Sequence, residues 1–411
     1  MNSDDFLANT LSLIGSSCDT AGIERKYRTV LSHEKRMLVV NYPIYMDNGE
    51  ISIIKAIRGQ HVDALGPYKG GIRLAASVTE SEVIALSMLM SIKSALLGLP
   101  YGGSKGGIVA DDAKLSKAEM ERVCRGYIRA IYPVIGPQVD IPAPDMNVSL
   151  EAMGWMLDEY EHMAGCHVPE AFTGKPLELG GSRGRKTAVA WGGIFVMEEV
   201  ERNYGCKCGQ FAVQGFGNVG GSLAQILYKK GKKIVAVSDS KGGVFDENGL
   251  NIDALVKHKE KTGSVVDFDG SKNITNNELL ELSVDVLVPA AKEDQIMEKN
   301  ADRISARAVL CLANGPVGMK ASQMLGARNI IVVPDVLANG GGVVVSHFEW
   351  AQGKEGYVWS GDRVTASLKD TMKRAFRNVY ATSQEYHTDL YTAAYILGVK
   401  NIVRAMKSRS L

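Results

Sequence analysis

The chain has 411 residues, of which 45% are apolar and 23% charged, the composition of an ordinary folded protein with a sizeable core. Its 47 basic and 46 acidic residues nearly cancel, which argues against nucleic acid or an anionic membrane as the main partner. No stretch approaches the roughly 20 apolar residues of a transmembrane helix, and the N-terminus lacks the pattern of a signal peptide. We therefore expect a cytoplasmic protein of two or three domains.

The six cysteines are spread along the chain, and no two of them have Cys-x-x-Cys spacing. Reduced thiols in a cytosolic protein are therefore the simplest interpretation. Cys206 and Cys208, separated by one residue, are too close for the usual zinc knuckle. We expect no metal site.

The first half of the chain mixes short strands, helices and Gly-rich segments. Apolar runs predict two strands, and helical periodicity predicts three helices, the first of which starts at Thr79 with Glu82 at capping-box spacing. The predicted strands are 36–44 and 49–57, and the predicted helices are 79–97, 116–132 and 149–163.

From Phe211 onward, short apolar strands alternate with helices or long connections. The predicted strands are 211–214, 234–237, 284–288, 309–312 and 330–333. Strands that recur in this way pair in parallel through right-handed crossovers. The sequence therefore predicts an α/β protein with a Rossmann-type, doubly wound nucleotide-binding sheet, followed by a mostly helical tail from Asp362.

A Gly-x-Gly-x-x-Gly motif follows the first of these strands and opens a predicted helix. Glycines at this spacing let a pyrophosphate approach the backbone and the helix N-terminus. The candidate cofactor-binding residues are Gly215, Phe216, Gly217, Asn218, Val219 and Gly220. Asp239, after the next strand, is placed to bind the adenine ribose and favours NAD by its charge. Ser238, Ser240 and Lys241 beside it could instead hold the 2′-phosphate of NADP, so the sequence leaves both cofactors open.

Three lysines and one aspartate stand in unusual surroundings. Lys93 falls on the apolar face of a predicted helix, where it either extends to the surface or stays buried and binds an anion. Lys69 and Lys105 lie in Gly-rich segments that we interpret as loops, either exposed turns or, as the apolar flanks of Lys105 indicate, partly buried ones. Asp145 follows a proline-stiffened segment, where it either caps the next helix or is held for proton transfer.

Seven longer motifs resemble those of the Glu/Leu/Phe/Val dehydrogenase family, in order, from about Tyr42 to the C-terminus. The motifs are Gly-Pro-Tyr-Lys-Gly-Gly-Ile-Arg at 66–73, Leu-Pro-Tyr-Gly-Gly-Ser-Lys-Gly-Gly at 99–107, Pro-Ala-Pro-Asp-Met-Asn at 142–147, Thr-Gly-Lys-Pro at 173–176, Val-Gln-Gly-Phe-Gly-Asn-Val-Gly at 213–220, Ala-Asn-Gly-Pro at 313–316 and Ser-His-Phe-Glu-Trp at 346–350. Within the family, the chain resembles the hexameric-type glutamate dehydrogenases, which interconvert L-glutamate with 2-oxoglutarate and ammonia by means of NAD or NADP.

The resemblance implies roles for the matching residues. Lys105 would polarise the 2-oxo or imino group and help to activate water, and Asp145 would move protons to and from the substrate nitrogen. Lys93 would bind the substrate α-carboxylate. Asn314 and Asn339 would line the nicotinamide side of a cleft that closes to exclude water.

Substrate choice, by the same resemblance, depends on Lys69 and Ser346, which would together hold the side-chain carboxylate of glutamate. The leucine, valine and phenylalanine enzymes are expected to have apolar residues there, because a buried lysine facing an apolar side chain would lack a partner. Two alternatives remain: a branched-chain or aromatic amino-acid dehydrogenase of the same family, and a non-catalytic dinucleotide-binding regulator. The one indication of the regulator is Val189, which stands where the family usually has a threonine that bonds the nicotinamide.

The resemblance also implies a domain arrangement and an assembly. A substrate-binding and oligomerisation domain would span 1–182 and be joined by a C-terminal helix at 386–411, and an NAD(P)-binding domain would span 183–385. The partners would be small molecules, namely glutamate, 2-oxoglutarate and ammonium, and the chain would form a homohexamer.

Overall fold

The computed structural model describes residues 3–410, so the ends of the predicted segments 1–182 and 386–411 lie outside the described residues. The strands are β1 Arg36–Tyr45, β2 Ile51–Gln60, β3 Tyr68–Leu74, β4 Gly102–Val109, β5 Asp140–Pro144, β6 Gln210–Gln214, β7 Lys233–Ser238, β8 Gly243–Phe245, β9 Lys272–Ile274, β10 Val286–Pro289, β11 Ala308–Leu310 and β12 Ile331–Val333. The helices are α1 Ser3–Thr20, α2 Arg25–Leu31, α3 Glu80–Leu96, α4 Lys117–Ile131, α5 Leu150–Ala164, α6 Ala188–Tyr204, α7 Asn218–Lys229, α8 Ile252–Thr262, α9 Asn276–Leu280, α10 Met319–Ala327, α11 Asp335–Ala338, α12 Gly341–Glu355, α13 Gly361–Glu385 and α14 Leu390–Ser408.

The chain divides into two compact units. Unit 1 is made of Met1–Arg185, Val343–Val364 and Tyr395–Leu411, and unit 2 is made of Lys186–Gly342 and Thr365–Ala394. The division differs from our domain boundaries mainly at 343–364, and its later breaks fall inside α12, α13 and α14. The domain boundaries from the sequence stay a prediction.

Unit 1 contains a five-stranded mixed sheet in the order β1-β2-β4-β3-β5. Strands β1, β2 and β4 pair antiparallel, whereas β3 pairs parallel to both β4 and β5. The two predicted strands and three predicted helices of this region are confirmed, and Thr79 caps α3 by accepting a hydrogen bond from the Glu82 N–H at 3.2 Å. A buried cluster from α4, α5 and the sheet forms the core on one face.

The Gly-rich segments around Lys69 and Lys105 are buried strands, β3 and β4, so our interpretation of them as loops is wrong. The physical reason is close approach of backbones. A Cβ on Gly70 would lie 1.5 Å from the carbonyl oxygen of Ser104, and a Cβ on Gly103 would lie 2.1 Å from that of Ser87 in α3. These glycines let two strands and a helix pack more closely than side chains would allow, which is a known use of glycine within sheets.

Unit 2 contains a seven-stranded sheet in the order β12-β11-β10-β6-β7-β8-β9. Its first five strands are parallel, and β8 and β9, which the sequence did not predict, extend it in antiparallel fashion. The predicted Rossmann-type sheet and the α/β class are therefore confirmed. After β6 the chain continues to β7 on one side of β6, and it later returns to β10 on the other side of β6. Sheets of this kind bind ligands where the strand order reverses, and this switch point lies between β6 and β10.

None of the helices within residues 3–410 combines the length and the apolar character needed to cross a membrane.

Candidate active site and dinucleotide site

The register of the first sheet places Lys69, Lys105 and Asp145 on one face. Lys69 on β3 is aligned with Gly103 on β4, two residues before Lys105, and residues two apart in a strand share a face. Asp145 directly follows β5, and a Cβ on Gly71, two residues after Lys69, would lie 2.9 Å from the Asp145 Cβ. Parallel pairing of β3 with both neighbours therefore brings two lysines and a carboxylate together.

Lys105 and Asp145 form an ion pair in which the Lys105 ammonium donates to Asp145 Oδ2. Lys105 is buried, while Asp145 is partly exposed. The other oxygen of Asp145 accepts from the Met146 N–H at 2.6 Å and lies 3.8 Å from Arg73 Nη2. The N-cap of α5 is Ser149, so the capping alternative for Asp145 is wrong: its carboxylate faces a buried lysine.

Apart from Asp145, the surroundings of Lys105 disfavour its charged form. Burial is the largest cause, and it lowers the pKa of Lys105 well below the ordinary value; the positive charges of Arg73, Arg58 and Lys93 lower it further, against the opposing effect of Glu82. Lys93 lies half-buried in the last turn of α3, close enough for its charge to act on Lys105. A lysine in such a setting can accept a proton near neutral pH.

Lys69 occupies a second buried position, with 1% of its surface exposed. Its ammonium donates to Thr173 Oγ1 at 2.5 Å and lies 6.0 Å from the centre of the Tyr101 ring. Burial lowers the pKa of Lys69 to about 7, the positive charge of Arg185 lowers it further, and the charge of Glu349 partly opposes them. An incoming carboxylate would favour the charged form of Lys69, so the pocket suits an anion.

Ser346 is buried on α12, and the helix is anchored one turn further on by Glu349. The Glu349 carboxylate, itself fully buried, accepts from the Gly174 N–H at 2.9 Å, from the Lys175 N–H at 3.2 Å and from the Lys175 ammonium at 2.7 Å. Residues three apart share one face of a helix, so Ser346 lies on the face of α12 that meets the segment carrying Thr173.

Sequence reasoning quoted Arg73, Thr173 and Glu349 only as parts of longer motifs and gave them no role. Their contacts, to Asp145, Lys69 and Lys175 in turn, place all three around the lysines. A buried polar side chain needs a hydrogen-bonding partner. Charged and hydroxyl residues in the motifs that contain or accompany the candidate lysines were therefore the signal from which these three residues could have been identified.

The three glycines of the dinucleotide motif each have a distinct geometry. Gly215 has φ +94°, and its Cβ would lie 2.8 Å from the Ala291 Cβ across the switch point. A Cβ on Gly220 would lie 2.0 Å from the Gly215 carbonyl oxygen, whereas one on Gly217 would meet no atom of the described residues within 4 Å. Gly215 therefore makes the tight turn, Gly220 allows close packing of the helix, and Gly217 leaves the backbone open to the approach of a pyrophosphate.

The helix that follows the motif presents its N-terminus at the same place. Gly217 is the N-cap of α7, no described side chain caps it, and Asn218 and Val219 form the first turn. Phe216 is buried, and its N–H donates to the Ser238 carbonyl at 2.7 Å, which ties the motif to β7. An uncapped first turn beside an open glycine suits a phosphate group, so the motif fits a dinucleotide.

Asp239 is held by neighbouring groups at the end of β7. Its carboxylate accepts from the N–H groups of Lys241 and Val265, both at 2.9 Å, and lies 3.3 Å from the Lys259 ammonium. Burial alone would raise the pKa of Asp239, but these hydrogen bonds and the Lys259 charge outweigh burial and lower it. Lys259, which sequence reasoning missed, also donates to the Phe216 carbonyl at 2.9 Å and so joins Asp239 to the glycine motif.

The other predicted cofactor residues also lie in unit 2. Asn339 Nδ2 donates to Asn314 Oδ1 at 2.8 Å and to the Ala313 carbonyl at 3.2 Å, so the two asparagines form one polar group. Ser240 is exposed beside Asp239. Val189 lies in the first turn of α6 and brings no hydroxyl there.

The Sγ atoms of Cys206 and Cys208 lie 3.9 Å apart in the segment that precedes β6. Within residues 3–410, no group of three or more His, Cys, Asp or Glu side chains is arranged to hold a metal ion.

Two family models match this chain. The model of Glutamate/Leucine/Phenylalanine/Valine dehydrogenase matches residues 180–410, and that of the Glu/Leu/Phe/Val dehydrogenase dimerisation domain matches residues 34–162. A relative from Bacillus subtilis (strain 168), described as cryptic catabolic NAD-specific glutamate dehydrogenase GudB, is 42% identical over 410 residues, or 98% of this chain and 96% of the relative. The NAD-specific glutamate dehydrogenase of Staphylococcus aureus (strain COL) is 42% identical over 99% of this chain and 98% of its own length.

Solved structures agree with these matches. The glutamate dehydrogenase from Peptoniphilus asaccharolyticus has a TM-score of 0.89 and 35% identity over 98% of this chain and 99% of that one. A hetero-hexameric glutamate dehydrogenase from Thermus thermophilus, in its Leu-bound form, has a TM-score of 0.94 and 32% identity over 99% of this chain and 97% of that one. By sequence over its whole length and by fold, the chain belongs to the Glu/Leu/Phe/Val dehydrogenase family.

Proposed function

We propose that the protein is a glutamate dehydrogenase, an oxidoreductase that acts on a CH–NH2 group and interconverts L-glutamate with 2-oxoglutarate and ammonia by means of NAD or NADP. The names of the relatives from Bacillus subtilis and Staphylococcus aureus support this activity. The observation that carries the proposal is the single sheet face that holds Lys69, Lys105 and Asp145, with Lys69 buried in a pocket suited to an anion.

The substrate would be bound by positive charges at its two ends. Lys93 would hold the α-carboxylate, and Lys69 with Ser346 would hold the side-chain carboxylate. Burial of both Lys69 and Ser346 supports this role, because a carboxylate keeps its attraction to an ammonium best where water is excluded. Two fixed carboxylate contacts orient the α-carbon between them.

Proton transfer would be carried out by the ion pair of Lys105 and Asp145. Lys105, with its lowered pKa, would polarise the 2-oxo or imino group and help to activate the attacking water. Asp145, partly exposed and already bonded to the Lys105 ammonium, would deliver protons to the substrate nitrogen and take them back.

The dinucleotide would be held in unit 2 by the motif Gly215 to Gly220, by Asp239 and Ser240, and by the pair Asn314 and Asn339. When bound, the nicotinamide ring supplies or accepts the hydride exchanged with the substrate α-carbon. The open approach at Gly217 and the uncapped start of α7 support this binding site. The relatives' names support NAD, and we propose NAD or NADP as the cofactor.

Initial rates will test the activity. We expect the purified protein to oxidise NADH or NADPH with ammonium and 2-oxoglutarate at least about 100-fold more efficiently than with ammonium and 2-oxoisocaproate, since an apolar chain leaves Lys69 without an anion. Comparing NADH with NADPH in the same assay measures cofactor preference. A preference for 2-oxoisocaproate would contradict the substrate, and dinucleotide binding without turnover of either oxo acid would favour a regulator.

We also propose that the protein is cytoplasmic and that six copies assemble into a homohexamer. The Thermus thermophilus relative is described as hetero-hexameric, and the family model over residues 34–162 is named for dimerisation. Strand β1 is an edge of its sheet, and on the β1–β2 hairpin Tyr45, Ile51 and Ile53 are 67%, 59% and 62% exposed. An apolar patch beside an open strand edge supports a subunit contact there.

Replacing Ile53 by aspartate is expected to reduce the assembly to smaller species, because a charge in an apolar contact loses its hydration. Light scattering coupled to size exclusion will measure the mass. Tyr357→Asp, which alters an apolar side chain 64% exposed elsewhere in unit 1, serves as the control and should keep six copies. Six copies in Ile53→Asp would exclude the patch as an interface, and a monomeric wild type would exclude the hexamer.

A further inference from the structure

A buried ion pair lies on the face of the unit 1 sheet opposite the candidate active site. Arg58 on β2 and Asp140 on β5 are both 0% exposed. The guanidinium binds the carboxylate through two bonds, Nε to Oδ2 at 2.8 Å and Nη2 to Oδ1 at 2.5 Å. Arg58 is aligned with Gly106, one residue from Lys105, so the pair and that lysine occupy opposite faces of the same strands.

The Arg58 side chain runs beneath the two Gly-rich strands to reach Asp140, because β4 and β3 separate β2 from β5. A Cβ on Gly106 in β4 would lie 3.0 Å from Arg58 Nη1. In β3, the Gly70 carbonyl lies 3.5 Å from both terminal nitrogens of the guanidinium. Gly106 therefore leaves room for this guanidinium on one face of β4, whereas Gly103, three residues earlier, lets the strand approach α3 on the other.

The pair is part of a network that joins the strands carrying Lys105 and Asp145. Ser104, the residue before Lys105, accepts from Arg58 Nη2 at 2.8 Å and donates to Asp140 Oδ1 at 2.7 Å. Asp140 begins β5, the strand that ends directly before Asp145. Desolvation makes a buried ion pair a weak source of stability, so its presence here calls for another reason.

We propose that Arg58 is a positioning residue for Lys105: bound to Asp140 and Ser104, it holds β4 and β5 in the register that sets the Lys105 ammonium against Asp145. The inference rests on the proposed function, in which that contact transfers protons. It assigns no contact with substrate to Arg58.

Arg58 also acts on Lys105 by its charge. The charged groups that face Lys105 are Asp145 after β5, Arg73 on β3, and Glu82 and Lys93 on α3; Arg58 acts on it from the opposite face of the sheet. Burial is the main cause of the lowered pKa of Lys105, and Arg58 is among the cations that lower it further. Removal of Arg58 should therefore raise the pKa of Lys105, and the pH range in which its neutral amine is present should move upward.

The test uses a double variant, Arg58→Met with Asp140→Asn, so that neither charge is left buried alone. We expect kcat to fall about 10- to 100-fold, because a small displacement of a reacting group costs that much, with little change in KM. Because Arg58 is among the charges that lower the pKa of Lys105, we also expect the pH profile of kcat/KM to move upward, by less than loss of the Arg58 charge alone would cause, since the opposing charge of Asp140 is removed with it. Arg28→Met with Asp19→Asn, an exposed ion pair of the same unit, is the matched control and should keep the wild-type profile.

Arg58→Lys separates position from charge. It keeps a cation but loses the two-bond geometry, so kcat should fall about tenfold with the pH profile nearly unmoved. A double variant with wild-type kcat and profile overturns the proposal, as does a loss of kcat without any movement of the profile. If the double variant does not unfold cooperatively, Arg58→Lys decides: wild-type kcat overturns the proposal, and the expected loss supports it.

A second readout does not depend on turnover. Trace labelling of Lys105 with acetic anhydride across a pH series, followed by mass spectrometry, reports the pH at which its amine becomes neutral. This pH should be higher in the double variant than in wild type, and equal values would overturn the proposal. A wild type without turnover on 2-oxoglutarate and ammonium would end the proposed function, whereas the labelling result would still decide the role of Arg58.

Discussion

The Asp145→Asn variant is expected to lose about 1,000-fold in kcat, within the range that a general acid–base group contributes. An amide cannot exchange protons with the substrate nitrogen, and it leaves the buried ammonium of Lys105 without its anion. The variant should still bind NADH and 2-oxoglutarate, because the lysines and the glycine motif remain. Steady-state rates in both directions, together with dissociation constants for each ligand, will measure the two effects separately.

Asp158→Asn provides the control for this loss. Asp158 is an exposed carboxylate of the same unit, and its substitution should leave kcat within about twofold of wild type. If Asp145→Asn keeps more than about a tenth of the wild-type kcat, Asp145 is not the acid–base group. A loss confined to KM would instead indicate a role in binding.

The dinucleotide site could be predicted from the sequence because its signal is local. The six residues Gly215 to Gly220 include both the turn and the start of α7, so strand, glycines and helix follow one another in a short stretch. The geometry then follows from the residue types, since only glycine suits the positive φ at Gly215 and the 2.0 Å approach at Gly220.

The meeting of Lys105 with Asp145 could not be predicted from local patterns. The two residues are 40 positions apart, and they meet because β3 pairs in parallel with both β4 and β5. The resemblance to the family supplied their roles, but the residues alone left Asp145 as either a helix cap or a proton-transfer group and placed Lys105 in a loop. Glycine is disfavoured in strands, so a Gly-rich strand held by the packing around it is read from sequence as a turn.

The buried pair of Arg58 and Asp140 could be predicted even less well from local patterns in the sequence. Arg58 directly follows the predicted strand 49–57, but its residue type does not indicate burial, because an arginine is exposed in most proteins. Its burial depends on Gly106 and Gly70, which lie on strands that the sequence did not predict. The domain boundaries are a similar case, because the later breaks between the compact units fall within the continuous helices α12, α13 and α14.

The Lys69→Leu variant is expected to lose about 100- to 1,000-fold in kcat/KM for 2-oxoglutarate, because the side-chain carboxylate would enter a buried pocket without its main cation. The ratio of rates for 2-oxoisocaproate and 2-oxoglutarate should rise accordingly. Lys114→Leu, which removes a lysine 81% exposed, is the matched control and should keep both rates. Unchanged turnover of 2-oxoglutarate in Lys69→Leu would remove Lys69 from the substrate site.

The Lys69→Leu variant should also be more stable than wild type at low pH. Burial lowers the pKa of Lys69 to about 7 in the folded chain from 10.5, so below pH 7 the folded state carries the cost of a buried charge, on the order of 5 kcal/mol. Between pH 7 and 10.5 the folded chain has released this proton while the unfolded chain keeps it, so the cost declines as pH rises. Leucine carries no such cost and loses only the hydrogen bond to Thr173, about 1 kcal/mol.

Thermal unfolding of both proteins at about pH 6 and about pH 9 will test this expectation. The melting temperature of Lys69→Leu should exceed that of wild type at the lower pH, and the difference should narrow at the higher one. A variant that is less stable at both pH values would mean that the Lys69 ammonium already has enough partners in the empty site. The pocket would then not be kept at a cost to stability in order to bind a carboxylate, even if activity were lost.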